Sequence, residues 1–188
     1  AAISAPMEII TVSATPISID DAGSSVSVIT RQDILDRNAA SIQDLLREIP
    51  GFSVSQQGSN GAVTQVRVRG AEANQVLVLI NGIEVNDPAQ GSEFDFSQIS
   101  TNDIERIEIV RGPQSALWGS DAMAGVIHII TMPTAQSSSF DASIEAGSFS
   151  TQRTTFAASQ GSDRYQTRFS VDYLDSDGTA VAHRKGYH

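Results

Sequence analysis

The side chains able to do chemistry are few, and their spacing does not suit catalysis. The chain has no cysteine, so disulfides, thiolate metal sites and cysteine nucleophiles are excluded. Its histidines are His128, His183 and His188. His128 sits in the strand-like run "VIHIIT" and is expected as a partly buried sheet histidine rather than a ligand. The other two lie in a polar tail with Arg184 and Lys185. No GxxxxGK[ST] phosphate loop, HExxH pair or GxSxG elbow occurs. "DSDG" (Asp175–Gly178) begins like a calcium loop, but the position where an EF-hand places its clamping Glu is Gly186. A hairpin turn is the expected use of that stretch. Carboxylates are plentiful, yet none forms an acid–base pair recognisable from spacing. These features point away from an enzyme and from a resident cofactor or metal.

Binding is left as the work of such a chain, and composition narrows the partners. Hydrophobic residues make up 40% and charged residues 18% of 188 residues, so a core can form while the polar remainder is mostly uncharged. The net charge of −10 argues against nucleic acid, which needs a basic footprint. Eleven of the twelve basic residues are Arg, the side chain favoured where ion pairs are partly buried. No apolar run approaches the ~18 residues of a membrane helix. The opening "AAISAP" has no starting Met, basic region or apolar signal core, and reads as a mature or trimmed N-terminus.

The elements that would position these groups are legible from periodicity. "EIITVSA" (Glu8–Ala14) is a short β-prone run, either a strand of the local sheet or an exposed segment able to add a strand to a partner. "SSVSVIT" reads as a strand, and "TRQD" places an acid three residues after Thr30 in a capping-box arrangement. "SIQDLLREIPG" carries Ile42, Leu45, Leu46 and Ile49 on one helical face and is stopped by Pro50-Gly51. In "QVRVRG", Val66 and Val68 face away from Arg67 and Arg69. "VLVLI" is a buried strand, Asn81-Gly82 a hairpin turn, and Ile83–Val85 the return. "IERIEIVRG" and "AGVIHIIT" are further strands. They enclose "RGPQSALWGSDAMAG", crowded with glycine and small residues.

After Thr131 the texture changes. "MPTAQSSS" reads as a linker. In "FDASIEAG", Phe140, Ala142, Ile144 and Ala146 alternate with Asp141, Ser143 and Glu145. In "YQTRFSVDY", Tyr165, Thr167, Phe169, Val171 and Tyr173 alternate with polar residues. Such alternation fits a solvated antiparallel sheet with one buried face. It also fits transmembrane β-strands, which need ~9–11 residues with aromatic girdles.

Taken in order, "EIITVSA", "SIQDLLREIPG", "VRVRG", "VLVLINGIEVND", "IERIEIVRGPQSALWGSDAMAGVIHIIT" and the alternating strands resemble the plug domain and first barrel strands of a TonB-dependent outer-membrane receptor. The likeness covers about residues 8–175. Within the family, "VLVLINGIEVN" and "SALWGSDAMAGVIHIIT" look most like the cobalamin (vitamin B12) receptors, while ferric siderophore and haem receptors share the frame.

The resemblance implies an α+β plug domain, a small mixed sheet with short helices, followed by the first antiparallel strands of a transmembrane β-barrel of about 22 strands. It implies an N-terminal extension over residues 1–15, the plug over 16–133 and an incomplete barrel over 134–188. The TonB box falls on Glu8, Ile9, Ile10, Thr11, Val12, Ser13 and Ala14, where TonB would add a strand. Arg69 and Arg111 match plug arginines that latch onto barrel-wall glutamates. Pairing with local Glu105 or Glu108 is the alternative. Gly112, Gly119 and Gly125 would allow close approach and unusual φ, and Trp118 would anchor the segment. Two apical loops would face the ligand, with Gln57, Ser59 and Asn60 in one and Asn86, Asp87 and Gln90 in the other. Their neutral groups suit an amide-decorated ligand such as a corrinoid. The partners implied are TonB with its inner-membrane complex, cobalamin or a ferric siderophore, and outer-membrane lipid. No cofactor is implied, and calcium held in barrel loops stays open. The location implied is the outer membrane of a Gram-negative bacterium, with the plug in the barrel lumen and its N-terminus in the periplasm. A soluble periplasmic α+β interaction module is the reading from another class.

Overall fold

A computed structural model of the chain describes residues 8–9, 17–18, 25–39, 41–58, 61–132, 138–162 and 164–177. Ile10–Ala14, Ser59, Asn60, most of the linker, Gly178, His183 and His188 lie outside the described residues. The chain divides into two compact units, residues 1–55 with 64–131, and residues 56–63 with 132–188.

In the first unit, β1 (Glu8–Ile9) pairs antiparallel with β2 (Ile17–Ser18). β3 (Ser25–Thr30) runs into α1 (Arg31–Asp36). The expected capping box is present: Thr30 Oγ1 accepts the Asp33 N–H at 3.2 Å, and the Asp33 carboxylate accepts the Thr30 N–H at 2.8 Å. α2 (Ile42–Arg47) buries Ile42, Leu45 and Leu46. β4 (Phe52–Gln56) and β5 (Thr64–Val68) form a two-stranded sheet, with Val66 and Val68 buried. β6 (Val76–Ile80) turns at Asn81-Gly82 into β7 (Ile83–Glu84). Both turn residues have positive φ, 51° and 83°, the signature of a tight type I′ hairpin. β8 (Ile104–Arg111) and β9 (Gly125–Thr131) follow, joined through the short α3 (Ser115–Trp118).

The main sheet has the order β3-β8-β9-β6-β7. β6 lies parallel to β9 while every other pair is antiparallel, so the sheet is mixed. Ile29, Val78, Ile107, Ile109, Ile127 and Ile129 turn one way, onto α1, α2 and Phe96. Leu77, Leu79 and Val126 turn the other way, under Ala122 and Trp118. Burial on both faces explains why β6 reads as an unbroken apolar run.

The second unit holds β10 (Ser139–Ala146), β11 (Gln152–Gly161) and β12 (Gln166–Asp175) in an antiparallel meander. β11 is a strand that the expectations did not contain. Its alternation is weak because Phe156 is its one bulky apolar residue. The register gathers Phe140, Ile144, Phe156, Phe169, Val171 and Tyr173 on one face, all exposed. Phe140, Phe156 and Phe169 form a row of edge-to-face contacts across the three strands. The opposite face is polar, and there Arg153 makes a two-pronged pair with Asp172, closest approach 2.6 Å. Asp175 ends β12, at the edge of the described residues.

Candidate functional site: a cleft in the β7–β8 connection and two arginines at the Pro50-Gly51 turn

The connection after β7 builds a cleft from side chains that cap short turns. Asp87 accepts the Ala89 N–H at 2.8 Å and the Gln90 side-chain amide at 3.0 Å, opening a 3₁₀ turn over Pro88–Gln90. Gly91, at φ 73°, reverses the chain so that the Ser92 N–H reaches the Asp87 carbonyl at 2.9 Å. Asp95 opens the next turn by accepting from Ser97 N–H and Oγ, and it also accepts the Thr64 N–H at 2.9 Å. Burial alone would raise the Asp95 pKa, but these donors hold it below the ordinary carboxylate value. Glu93 accepts a hydrogen bond from Gln65. Phe94 and Phe96 pack edge to face with centroids 4.9 Å apart.

The resulting cavity, about 190 Å³, is lined by Val85, Asp87, Gln90, Glu93, Phe94, Asp95 and Gln98. It offers three carboxylates and two amides beside an apolar wall, and its lining has no Lys or Arg. Such a surface accepts hydrogen bonds from amide and hydroxyl donors and repels anions.

The residues assigned from sequence to ligand contact separate. Asp87 and Gln90 line the cleft. Asn86 does not: it is 8% exposed, and its amide is taken up by Val76, Val78 and Ser92 backbone groups. A polar loop residue next to a sheet edge reads as outward-facing, whereas here the edge itself captures it. Gln57 is exposed and belongs to the second unit, where its N–H closes the loop onto the Val63 carbonyl at 3.1 Å.

Arg69 and Arg111 converge on the Pro50-Gly51 turn. Arg111 donates to the Pro50 carbonyl at 3.0 Å and to Ser27 Oγ at 2.8 Å, while its Nε is buried without a hydrogen-bond partner. Arg69, exposed and at φ 52°, reaches the Gly51 carbonyl through its backbone N–H at 2.7 Å. Neither pairs with a carboxylate among the described residues. The local alternative, Glu105 or Glu108, is not formed: neither acid makes an ion pair with Arg69 or Arg111, and Glu108 lies three residues from Arg111 on the strand and so points to the opposite face. Glu108 is instead paired with Arg106 at 2.9 Å.

The glycines of the β8–β9 connection divide by task. Gly112 and Gly119 have φ of 117° and 86° with open space around them. Gly125 permits close approach: a Cβ there would sit 2.4 Å from the Val110 carbonyl oxygen. Trp118 anchors the segment on Leu77, Leu79, Ala122 and Val126.

The buried Glu108 and His128, with the half-buried Arg106, form a polar group that the spacing arguments missed. Glu108 and His128 are register partners on β8 and β9, 0% and 1% exposed. The Gly82 N–H donates to His128 Nε2 at 2.9 Å, which places the neutral proton on Nδ1. The available signal was Arg106 and Glu108 two apart in "IERIEIV", and so on one strand face.

Of the strand expected to bind TonB, Glu8 and Ile9 are paired with Ser18 and Ile17. Ile10–Ala14 are outside the described residues.

Comparison with known proteins accounts for this assembly. The model of the TonB-dependent receptor plug domain matches residues 18–126. A vitamin B12 transporter of Vibrio vulnificus strain CMCP6 is 40% identical over 136 residues, 72% of this chain and 22% of that protein. The chain therefore spans about a fifth of that relative's length. Among solved structures, the pyoverdine outer membrane receptor of Pseudomonas aeruginosa PAO1 superposes with a TM-score of 0.76 at 21% identity, covering 91% of this chain and 25% of that one. The alcaligin outer membrane receptor of Bordetella pertussis does so with a TM-score of 0.73 at 22% identity, covering 90% and 29%. At such identities the likeness of the structures speaks for the fold alone. The plug-domain match and the similarity to the vitamin B12 transporter together show that the chain belongs to the TonB-dependent receptor family, as a plug domain.

Proposed function

We propose that the chain is the amino-terminal part of an outer-membrane receptor that binds a cobalamin-like corrinoid and carries it to the periplasm with energy delivered through TonB. The 40% identity to a vitamin B12 transporter carries this reading. The cleft supports it, because the carboxylates of Asp87 and Glu93 and the amide oxygens of Gln90 and Gln98 are available to accept hydrogen bonds from a ligand decorated with amides. An anionic ferric chelate would meet three carboxylates and no cation there. The chain acts by binding and transport, not catalysis.

In this reading β10–β12 begin the barrel. Two of these strands have 10 residues, within the ~9–11 of a transmembrane strand, and the exposed row from Phe140 to Tyr173 faces lipid. The plug fills the lumen. Arg111 and Arg69, both at the Pro50-Gly51 turn, take glutamates of the barrel wall, Arg111 through the terminal N–H groups left over from its bonds to Pro50 and Ser27. Breaking one partner of such a pair is costly, which suits a latch that must hold and then release. In the periplasm, TonB adds a strand to the segment Glu8–Ala14.

Ile10→Pro or Val12→Pro in the full-length receptor removes a ladder donor. Uptake of cyanocobalamin is expected to stop while its binding persists. Continued uptake by either variant would overturn the assignment of the coupling strand.

A further inference from the structure

β7 is two residues long, and its ladder with β6 ends where the Val85 N–H meets the Val78 carbonyl at 3.1 Å. The chain then leaves the sheet, and the side chain of Asn86 takes over the edge. Its Oδ1 accepts the Val78 N–H at 2.7 Å, and its Nδ2 donates to the Val76 carbonyl at 3.0 Å. One amide thus satisfies a donor and an acceptor two residues apart on β6, as a backbone peptide would. The second Nδ2 hydrogen reaches the Ser92 carbonyl at 2.9 Å. Residues 86 and 92 bracket the turn that carries Asp87 and Gln90, so a single buried side chain holds both ends of that turn to the sheet.

We infer that Asn86 is the positioning residue of the cleft: it touches no ligand, and it sets where Asp87 and Gln90 stand relative to β6. The choice of probe below rests on the corrinoid reading; the assignment of Asn86 does not. An aspartate keeps the acceptor for Val78 but turns an oxygen toward the Val76 and Ser92 carbonyls. An alanine leaves all three backbone groups unmatched, a loss large in a buried site.

The test uses the full-length receptor in detergent. Equilibrium binding of cyanocobalamin to Asn86→Ala and Asn86→Asp is expected to weaken about tenfold or more. The same Asn86→Ala change made in Asp87→Ala/Gln90→Ala is expected to weaken binding less than about threefold, because the groups being positioned are gone. Equal losses in both backgrounds, or wild-type affinity in Asn86→Ala, would overturn the inference. Hydrogen exchange supplies an arm that needs no ligand. Exchange over residues 87–92 should quicken in Asn86→Ala while β8 and β9 keep their protection, and unchanged exchange there would also overturn it. Asn86→Ser, shorter and uncharged, carries the same expectations where the aspartate variant does not assemble. Failure of the wild type to bind cyanocobalamin would refute the corrinoid reading and leave the exchange result to decide Asn86.

Discussion

Replacing Gly125 by alanine tests the close approach of β8 and β9. The added Cβ would lie 2.4 Å from the Val110 carbonyl oxygen, where carbon–oxygen contacts between adjacent strands normally stand at about 3.3 Å. β8 and β9 must therefore part by roughly 0.9 Å at the Arg111–Gly125 register pair. The strain cannot relax into a flexible side chain, because the atom struck is backbone. Nearby, the Gly112 N–H to Ala124 carbonyl bond of 2.9 Å would stretch. Overpacking of this kind costs about 1–3 kcal/mol, and a weakened hydrogen bond adds about 0.5–1.5 kcal/mol. The lower unfolded-state entropy of alanine returns about 0.4–1 kcal/mol. The net expectation is a loss of about 2 kcal/mol. Trp118 is the sole tryptophan and packs on the cluster containing Val126, so its fluorescence reports this region during urea unfolding. At a slope of about 2 kcal/mol per molar urea, the midpoint should fall by about 1 M. Gly147→Ala serves as a control, since its nearest neighbour would be at 3.6 Å and the midpoint should stay put. An unchanged midpoint in Gly125→Ala would refute the close approach of β8 and β9.

Other perturbations have equally direct readouts. Burial lowers the His128 pKa, with Glu108 opposing and Arg106 reinforcing the shift, so the folded chain binds that proton less readily than the unfolded one. Stability should then decline as pH falls below about 6.5, and His128→Asn should remove that part of the slope in a pH series of urea midpoints. Hydrogen bonds from the Thr30 hydroxyl and N–H lower the Asp33 pKa, so the stabilisation is present above the ordinary carboxylate pKa and is lost as pH falls through the folded value. Thr30→Ala should destabilise by about 1 kcal/mol at neutral pH and by less in acid, measured by the same midpoints. Asp172→Ala removes the two-pronged partner of Arg153, whose side chain is 8% exposed, and should cut the yield of folded receptor in the membrane, whereas Asp141→Ala, on the same polar face, should not.

Local signals carried much of the plug into the sequence. Thr30 and Asp33, Pro50-Gly51 and Asn81-Gly82 each determine a cap, a stop or a turn through contacts a few residues long, and each appears where its chemistry requires. The parallel pairing of β6 with β9 is not written locally: both runs are apolar on two faces, and such runs carry no mark of their neighbour. β11 escaped because Thr154, Phe156 and Ala158 alternate with Arg153, Thr155 and Ala157, a pattern with little contrast. Asn86 escaped for a different reason. Amide side chains in a loop look alike in sequence whether they meet solvent or finish a sheet edge. Arg69 and Arg111 could be singled out only by resemblance, and what the fold adds is that both stand at one turn with no carboxylate partner among the described residues.

The proposal that this plug serves a corrinoid receptor is tested most directly by titrating the full-length receptor, in detergent, with cyanocobalamin in the presence of ferric siderophores. Tight binding that the siderophores do not displace is the expected result. Absence of cyanocobalamin binding, together with binding of a ferric siderophore, would contradict it.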